Sequence, residues 1–259
     1  VTAGSGATRE GVVSGGAGLP GAVTARDDPG GVAAAAAEWL VGIAAATLTR
    51  RDRFRVALAG GSTPRALYQL LAAEFGADRA HWRAWEVYFG DERACPPDDP
   101  SSNYRMARET LLDRVPIAPE RVHRMEGERA DLDAAAAEYA SILAATSPPI
   151  APGAPPRLDC ILLGLGENGH TASLFPGDPA LEVGDRWAVR SRADYAPYDR
   201  ITLTFPVLNA AAHVAFLVAG ATKVEALRGV VRGTVPAARV RPPDGELRWF
   251  LDAEAAGIV

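Results

Sequence analysis

The residues with chemical capacity fall in five short segments, four of which follow an apolar run. Gly60-Gly61-Ser62-Thr63-Pro64 combines two glycines, two hydroxyls and a helix start. The glycines let backbone approach a ligand, and the free amides of a helix start carry partial positive charge, so the segment suits an anion, most naturally a phosphate. Without a ligand it is a capped strand-to-helix turn, and no lysine stands where a Walker loop requires one. Gly90-Asp91-Glu92-Arg93 brings three charges to the next rim. Carboxylates there can orient a base or hold sugar hydroxyls, and an arginine can fork onto phosphate; the bland alternative is a solvated turn.

The third segment, Gly164-Leu165-Gly166-Glu167-Asn168-Gly169-His170-Thr171-Ala172-Ser173, carries a histidine among small residues. With an unperturbed pKa near ~6.5, His170 is largely neutral at pH 7 and can take a proton. The segment also spells G-x-G-x-x-G. A dinucleotide site needs a full helix next and then a strand ending in an acidic residue. Pro176, Gly177 and Pro179 cut that helix short, and Asp185 precedes the next strand. Arg200 opens a strand-like run. Lys223, in Gly220-Ala221-Thr222-Lys223, opens a helix, where a cation opposes the helix dipole unless it meets an anionic ligand. His123 and His213 lie in strand-like runs and His81 beside Trp82, which reads as structural.

These segments need a frame that brings them together. Ala22–Ala25, Phe54–Ala59, Trp85–Phe89, Arg121–Met125, Leu158–Leu163, Trp187–Ser191, Ile201–Phe205, His213–Ala219 and Leu247–Leu251 read as strands. Helices are expected from Asp27 or Asp28 to Leu48, from Pro64 to Phe75, over Ser102–Val115, Leu132–Ala145 and Thr222–Arg232. Strands separated by helices indicate a mainly parallel sheet covered on both faces, with ligands at the carboxyl ends of its strands. Residues 1–20 are rich in small residues and are expected to form a flexible tail, with one α/β domain over 21–259. Five prolines between Ser147 and Pro156 mark either a loop inside that domain or an internal boundary.

Composition removes several classes of function. The chain has 259 residues, 48% apolar and 23% charged, enough for a large core without staples. A net charge of −5 with no basic run disfavours nucleic acid as a partner, while local cations can still hold a small phosphorylated molecule. Cys95 and Cys160 are too few and too far apart for a disulfide framework, which points to free thiols and a cytoplasmic setting. The four histidines form no local metal motif. Gly31–Leu48 is mostly alanine with Glu38 inside it, and reads as a packed helix rather than a membrane span.

Taken in order, Ala59–Pro64, Gly90–Arg93 with Pro96 and Ser102-Asn103-Tyr104, Leu163–Gly166 through Gly169–Gly177, Arg200–Thr204, Gly220–Lys223 and Pro236–Val240 resemble the 6-phosphogluconolactonase family. That family lies within the glucosamine-6-phosphate deaminase and isomerase-like superfamily. The resemblance runs from about residue 20 to 255 and implies a Rossmann-like α/β domain. The implied activity is hydrolysis of 6-phosphoglucono-1,5-lactone to 6-phosphogluconate in the pentose phosphate pathway, without cofactor or metal, by a monomer or small homo-oligomer. It places the general base on His170 and an orienting or hydroxyl-binding carboxylate on Asp91. Its phosphate site falls on Gly60, Gly61, Ser62 and Thr63 with Arg93, Arg200 and Lys223; backbone amides between Gly166 and Gly169 are expected at the oxyanion. Many relatives, especially deaminases, carry aspartate where this chain has Asn168, which disfavours deaminase or isomerase chemistry and leaves water attack with one base. Two rival readings are a serine hydrolase pairing Ser62 with His170, without the usual G-x-S-x-G elbow, and a sugar-phosphate sensor lacking any evident output element.

Overall fold

The computed structural model describes residues 12–13 and 18–257. In chain order the strands and helices are β1 (Val12–Val13), β2 (Ala22–Arg26), α1 (Pro29–Leu48), β3 (Phe54–Leu58), α2 (Ser62–Glu74), α3 (Ala77–Ala80), β4 (Trp85–Phe89), β5 (Asp91–Arg93), α4 (Asn103–Thr110), α5 (Leu132–Thr146), β6 (Cys160–Leu163), β7 (Ala188–Arg192), β8 (Asp199–Leu203), α6 (Phe205–Ala210), β9 (His213–Val218), α7 (Val224–Arg232), β10 (Glu246–Asp252) and α8 (Ala253–Ala256). The main sheet runs β1-β2-β10-β9-β6-β3-β4, parallel except for β1 at its edge. This is the expected Rossmann-like α/β architecture.

Its central strands are apolar on both sides because each side meets a different layer. Cys160 and Leu162 of β6, with Ala215 and Leu217 of β9, pack toward α1, α2 and α4. Ile161 and Leu163, with Val214, Phe216 and Val218, pack toward α5, α6 and α7. The period-2 alternation thus divides one sheet between two cores. Helix α1 is capped by Asp28, whose carboxylate accepts from Gly31 N at 2.8 Å. It is long and apolar enough to cross a membrane, with a mean hydropathy of 1.6. Here Val32, Ala36, Leu40 and Ala44 are buried against the sheet, which accounts for the alanine: small side chains let the helix lie close.

Several expectations need correction. Asp91–Arg93, read as a rim turn, is strand β5. The runs around Trp187–Ser191 and Ile201–Phe205, expected in the parallel sheet, are β7 and β8 of a separate antiparallel sheet, β5-β8-β7. Only Ala193–Tyr198 joins β7 to β8, far short of the dozen or more residues a parallel crossover needs. Phe205 starts α6 rather than ending a strand. Arg121–Met125 makes a single bridge, Val122 to Val87, and no strand. The expected helix over Ser102–Val115 ends at Thr110 and continues as a tighter turn at Leu112–Arg114. The proline-rich stretch joins α5 to β6, which sits in the middle of the main sheet, so it is a loop within one fold. Much of the expected tail lies outside the described residues. Within it, Val12 and Val13 pair with β2, Leu19 is in the core, and the Pro20 carbonyl accepts from Trp249 Nε1 at 2.8 Å.

Candidate active site

A cavity of about 520 Å³ opens at the carboxyl ends of the strands, between the loops after β3 and β6. Chain connections leave these two strands in opposite directions, to β4 on one side and β9 on the other, so the crevice forms where the sheet order reverses. Gly60, Gly61, Ser62, Thr63, Asp91, Arg93, Gly166, His170 and Lys223 all line it, although they span more than 160 positions of the chain. Gly169 and Arg200 do not line it.

On one side lies the start of α2. Gly61 takes φ 108°, a left-handed value that suits glycine, and no side chain caps the helix. Its first turn holds no acidic residue, so the N-terminal end faces the cavity uncompensated. Gly60 is fixed by space: a Cβ there would lie 1.9 Å from Asn103 Oδ1. Tyr68 secures the loop from within α2, its hydroxyl accepting from Ala59 N at 2.8 Å and donating to Ala59 O at 2.9 Å. Lys223 reaches the cavity from the turn after β9 and makes no ion pair among the described residues. It is the only lysine among 27 basic residues, a compositional signal that the motif reading did not use.

The three charges after β4 separate into different tasks. Glu92 turns away from the cavity to cap α4. Its oxygens accept from Arg93 N, Asn103 N and Tyr104 N, each at 2.8 Å, and from Ser102 Oγ at 2.9 Å. Burial pushes its carboxyl upward against the pull of those amides. Asp91, expected to orient the base or hold a hydroxyl, is not bonded to His170. One oxygen accepts from Asn103 Nδ2 at 3.1 Å and the other from Ser173 Oγ at 2.6 Å. It therefore ties the His170 loop to β5 and α4, and faces the imidazole as a charge rather than as a partner. Arg93 donates through Nη1 to the Ser101 carbonyl.

Arg200, expected at the start of a strand and in the phosphate site, is buried at 1% exposure, opposite Arg93 in the small sheet and under the Tyr195 ring. Burial, then the like charge of Arg93, holds its pKa below the usual arginine range. Arg93 Nε and Arg200 Nη1 are buried without a hydrogen-bond partner among the described residues.

His170 lines the same cavity as the α2 start. Its ring packs on Phe175 with centroids 4.3 Å apart, and Tyr195 is 6.3 Å away. Nδ1 is 2.6 Å from Asn168 Oδ1. Burial lowers its pKa to about 4, with Lys223 and Arg200 acting in the same sense and Asp91 and Asp194 against it. The ring is thus neutral at pH 7. Gly166 makes room for it, since a Cβ there would lie 2.0 Å from both Cε1 and Nδ1.

The expected oxyanion amides need correction. Gly166 N donates to His170 O and Gly169 N to Gly166 O, both at 2.9 Å. Gly169 faces Val235, 2.4 Å from where a Cβ would stand, so it serves the loop and not the cavity. Asp194 and Tyr195, from the β7–β8 loop, line the cavity and were missed. Their loop reads as surface until the hairpin folds it over the site.

Residues 27–249 match the family model described as "Glucosamine-6-phosphate isomerases/6-phosphogluconolactonase". The chain belongs to this family. It is 43% identical over 212 residues to a 6-phosphogluconolactonase of Nostoc sp., covering 80% of this chain and 85% of that one. It is 38% identical to one of Mycobacterium bovis, over 86% of this chain and 92% of the other. Among solved structures, the 6-phosphogluconolactonase from Trypanosoma brucei superimposes with TM-score 0.82 at 30% identity, covering 92% of this chain and 98% of that one. A monomeric glucosamine-6-phosphate deaminase shares the fold, with TM-score 0.76 at 20% identity.

Proposed function

We propose that this chain hydrolyses 6-phosphoglucono-1,5-lactone to 6-phosphogluconate, with His170 as general base and the opposite wall of the cavity as phosphate site. The observation that carries the reading is that a neutral imidazole, an uncapped helix start and a lysine without an ion pair among the described residues all line one cavity. The family relatives named as 6-phosphogluconolactonases support the same reaction.

The phosphate docks on the Ser62 and Thr63 amides and hydroxyls, with Lys223 and Arg93 supplying charge. This anchors the substrate so that its lactone carbonyl lies toward His170. The neutral imidazole takes a proton from water as the water oxygen bonds to the carbonyl carbon. The tetrahedral oxyanion then collapses, the ring C–O bond breaks, and the imidazolium returns its proton to the leaving oxygen. Within the Gly166–Gly169 turn, Glu167 and Asn168 line the cavity with amides that make no hydrogen bond among the described residues, and these are the donors for the oxyanion in this reading. Water rather than Ser62 is the nucleophile in this reading, since no hydrogen bond joins Ser62 to His170 among the described residues, where the imidazole bonds Asn168 through Nδ1 alone.

The test is a coupled assay with freshly prepared lactone, corrected for spontaneous opening. Wild type should open the phosphorylated lactone far faster than the unphosphorylated one. His170→Ala should lose on the order of 10²- to 10⁴-fold in kcat. Wild type that binds 6-phosphogluconate but opens no lactone would make the protein a sensor; near-normal turnover by His170→Ala would remove the base.

A further inference from the structure

We propose that Asn168 and Asp194 form a positioning relay that holds His170 in one tautomer, with Nδ1 protonated and Nε2 free to take the proton. The inference rests on the reading of His170 as general base, and it follows from groups whose hydrogen-bonding roles are fixed. The backbone N–H of His170 can only donate, and it lies 3.1 Å from Asn168 Oδ1. The Asp194 carboxylate can only accept, and its Oδ2 lies 3.4 Å from Asn168 Nδ2. Between them these two groups determine which end of the amide is oxygen. That oxygen is 2.6 Å from His170 Nδ1. An amide oxygen only accepts, so Nδ1 carries the hydrogen and the Nε2 lone pair of the neutral ring is the basic one.

The relay keeps a negative charge near the ring without putting a carboxylate directly on it. Direct contact would draw the imidazole pKa up. An aspartate at 168 would also set two carboxylates within about 3.4 Å of each other in the present geometry. The other charges facing the ring are Asp91 from β5, Arg200 from β8 and Lys223 from the turn after β9. Phe175 and Tyr195 complete its apolar surroundings. Asp194 sits on the hairpin loop and bonds Asn168 rather than His170 itself, so it is a positioning residue.

The experiment is long-range ¹⁵N–¹H NMR of the imidazoles in ¹⁵N-labelled full-length protein, with His170 assigned by its loss in His170→Gln. Wild type should show a single tautomer with hydrogen on Nδ1. Asp194→Ala should show mixed tautomers and a kcat lower by about fivefold, the worth of one hydrogen bond, with KM for the lactone little changed. Asn168→Asp should raise the acid limb of the kcat/KM profile by about 1–3 pH units. The double variant Asn168→Asp/Asp194→Asn restores donor facing acceptor and should return a single tautomer. A wild-type ring protonated on Nε2, or an Asp194→Ala protein with unchanged tautomer, pH profile and kcat, overturns the relay. Full turnover by His170→Gln would instead overturn the general base, and the wild-type tautomer would still judge the relay.

Discussion

Replacing Gly166 with alanine should displace the imidazole without altering any charged group. The new Cβ would stand 2.0 Å from Cε1 and Nδ1 of His170 and 2.8 Å from Cγ. Ordinary contacts begin near ~3.4 Å, so the ring must retreat by about 1.4 Å. The backbone has no reason to resist, because Gly166 is not among the positive-φ glycines and its N–H keeps the 2.9 Å bond to His170 O. A retreating ring leaves the 2.6 Å contact to Asn168 and loses its aim at the lactone carbon. Misplacement by about 1 Å costs on the order of 10²-fold in rate. The expected outcome is kcat lower by about 10²-fold, with KM within a few-fold because Lys223 and Arg93 are untouched. Gly169→Ala is the counterpart: φ 78° and a Cβ 2.4 Å from Val235 predict a lowered Tm, with kcat of the folded fraction largely retained. The coupled lactone assay and a thermal melt on both variants decide the matter. Gly166→Ala with kcat within threefold of wild type would refute the claim that this ring position governs turnover.

The acid limb of kcat/KM should fall near pH 4 rather than 6.5, since the free protein holds His170 neutral down to about 4; initial rates from pH 4 to 7.5 would show a limb at 6.5 if this is wrong. The same depression sets a stability slope: the unfolded chain takes that proton near 6.5 and the folded one only near 4, so stability drops as pH falls through this window. His170→Gln should flatten that slope in denaturant titrations. Lys223→Ala should raise KM by roughly 10- to 100-fold, as loss of a charged phosphate contact does, with Lys223→Arg recovering part of it; an unchanged KM would remove Lys223 from the phosphate site. Glu92→Gln turns an NH₂ toward two of the four donors now held by the carboxylate, and should lower stability by about 2–3 kcal/mol, read by denaturant melts, with the activity of folded protein kept.

The main sheet was legible at its centre, where the strands are apolar on both faces and run into glycine. Cys160–Leu163 before Gly164 and His213–Val218 before Gly220 cannot be amphipathic helices, and both are central strands. The small sheet was not legible for the opposite reason. Asp91-Glu92-Arg93 and Ala188–Arg192 are polar enough to read as rim or edge, and their pairing depends on a hairpin that nothing local announces. The site divided along the same line. His170, Lys223 and the Gly60–Thr63 loop belong to strand ends, where function is expected from topology alone. The roles of Asp91 and Glu92 depend on partners at Asn103 and Ser173, up to 82 positions away, so adjacent carboxylates of like type could not be told apart by spacing.

The small sheet also explains why two arginines can sit side by side in a buried place. Register sets Arg93 against Arg200, and like charges opposite each other oppose pairing of the strands. Asp91, two residues before Arg93 in β5, offsets part of this charge, and the Tyr195 ring lies over the Arg200 guanidinium. What remains, among the described residues, is one buried guanidinium nitrogen on each residue without an acceptor. A buried donor without an acceptor costs roughly 1–3 kcal/mol, more when charged, and a fold gains nothing from keeping two of them for packing alone. Replacing them with apolar residues of similar size would relieve that strain. Arg93 lines the cavity and Arg200 backs it from the neighbouring strand, so an anion bound to Arg93 offsets part of the like-charge repulsion between the two, which agrees with the proposed phosphate chemistry.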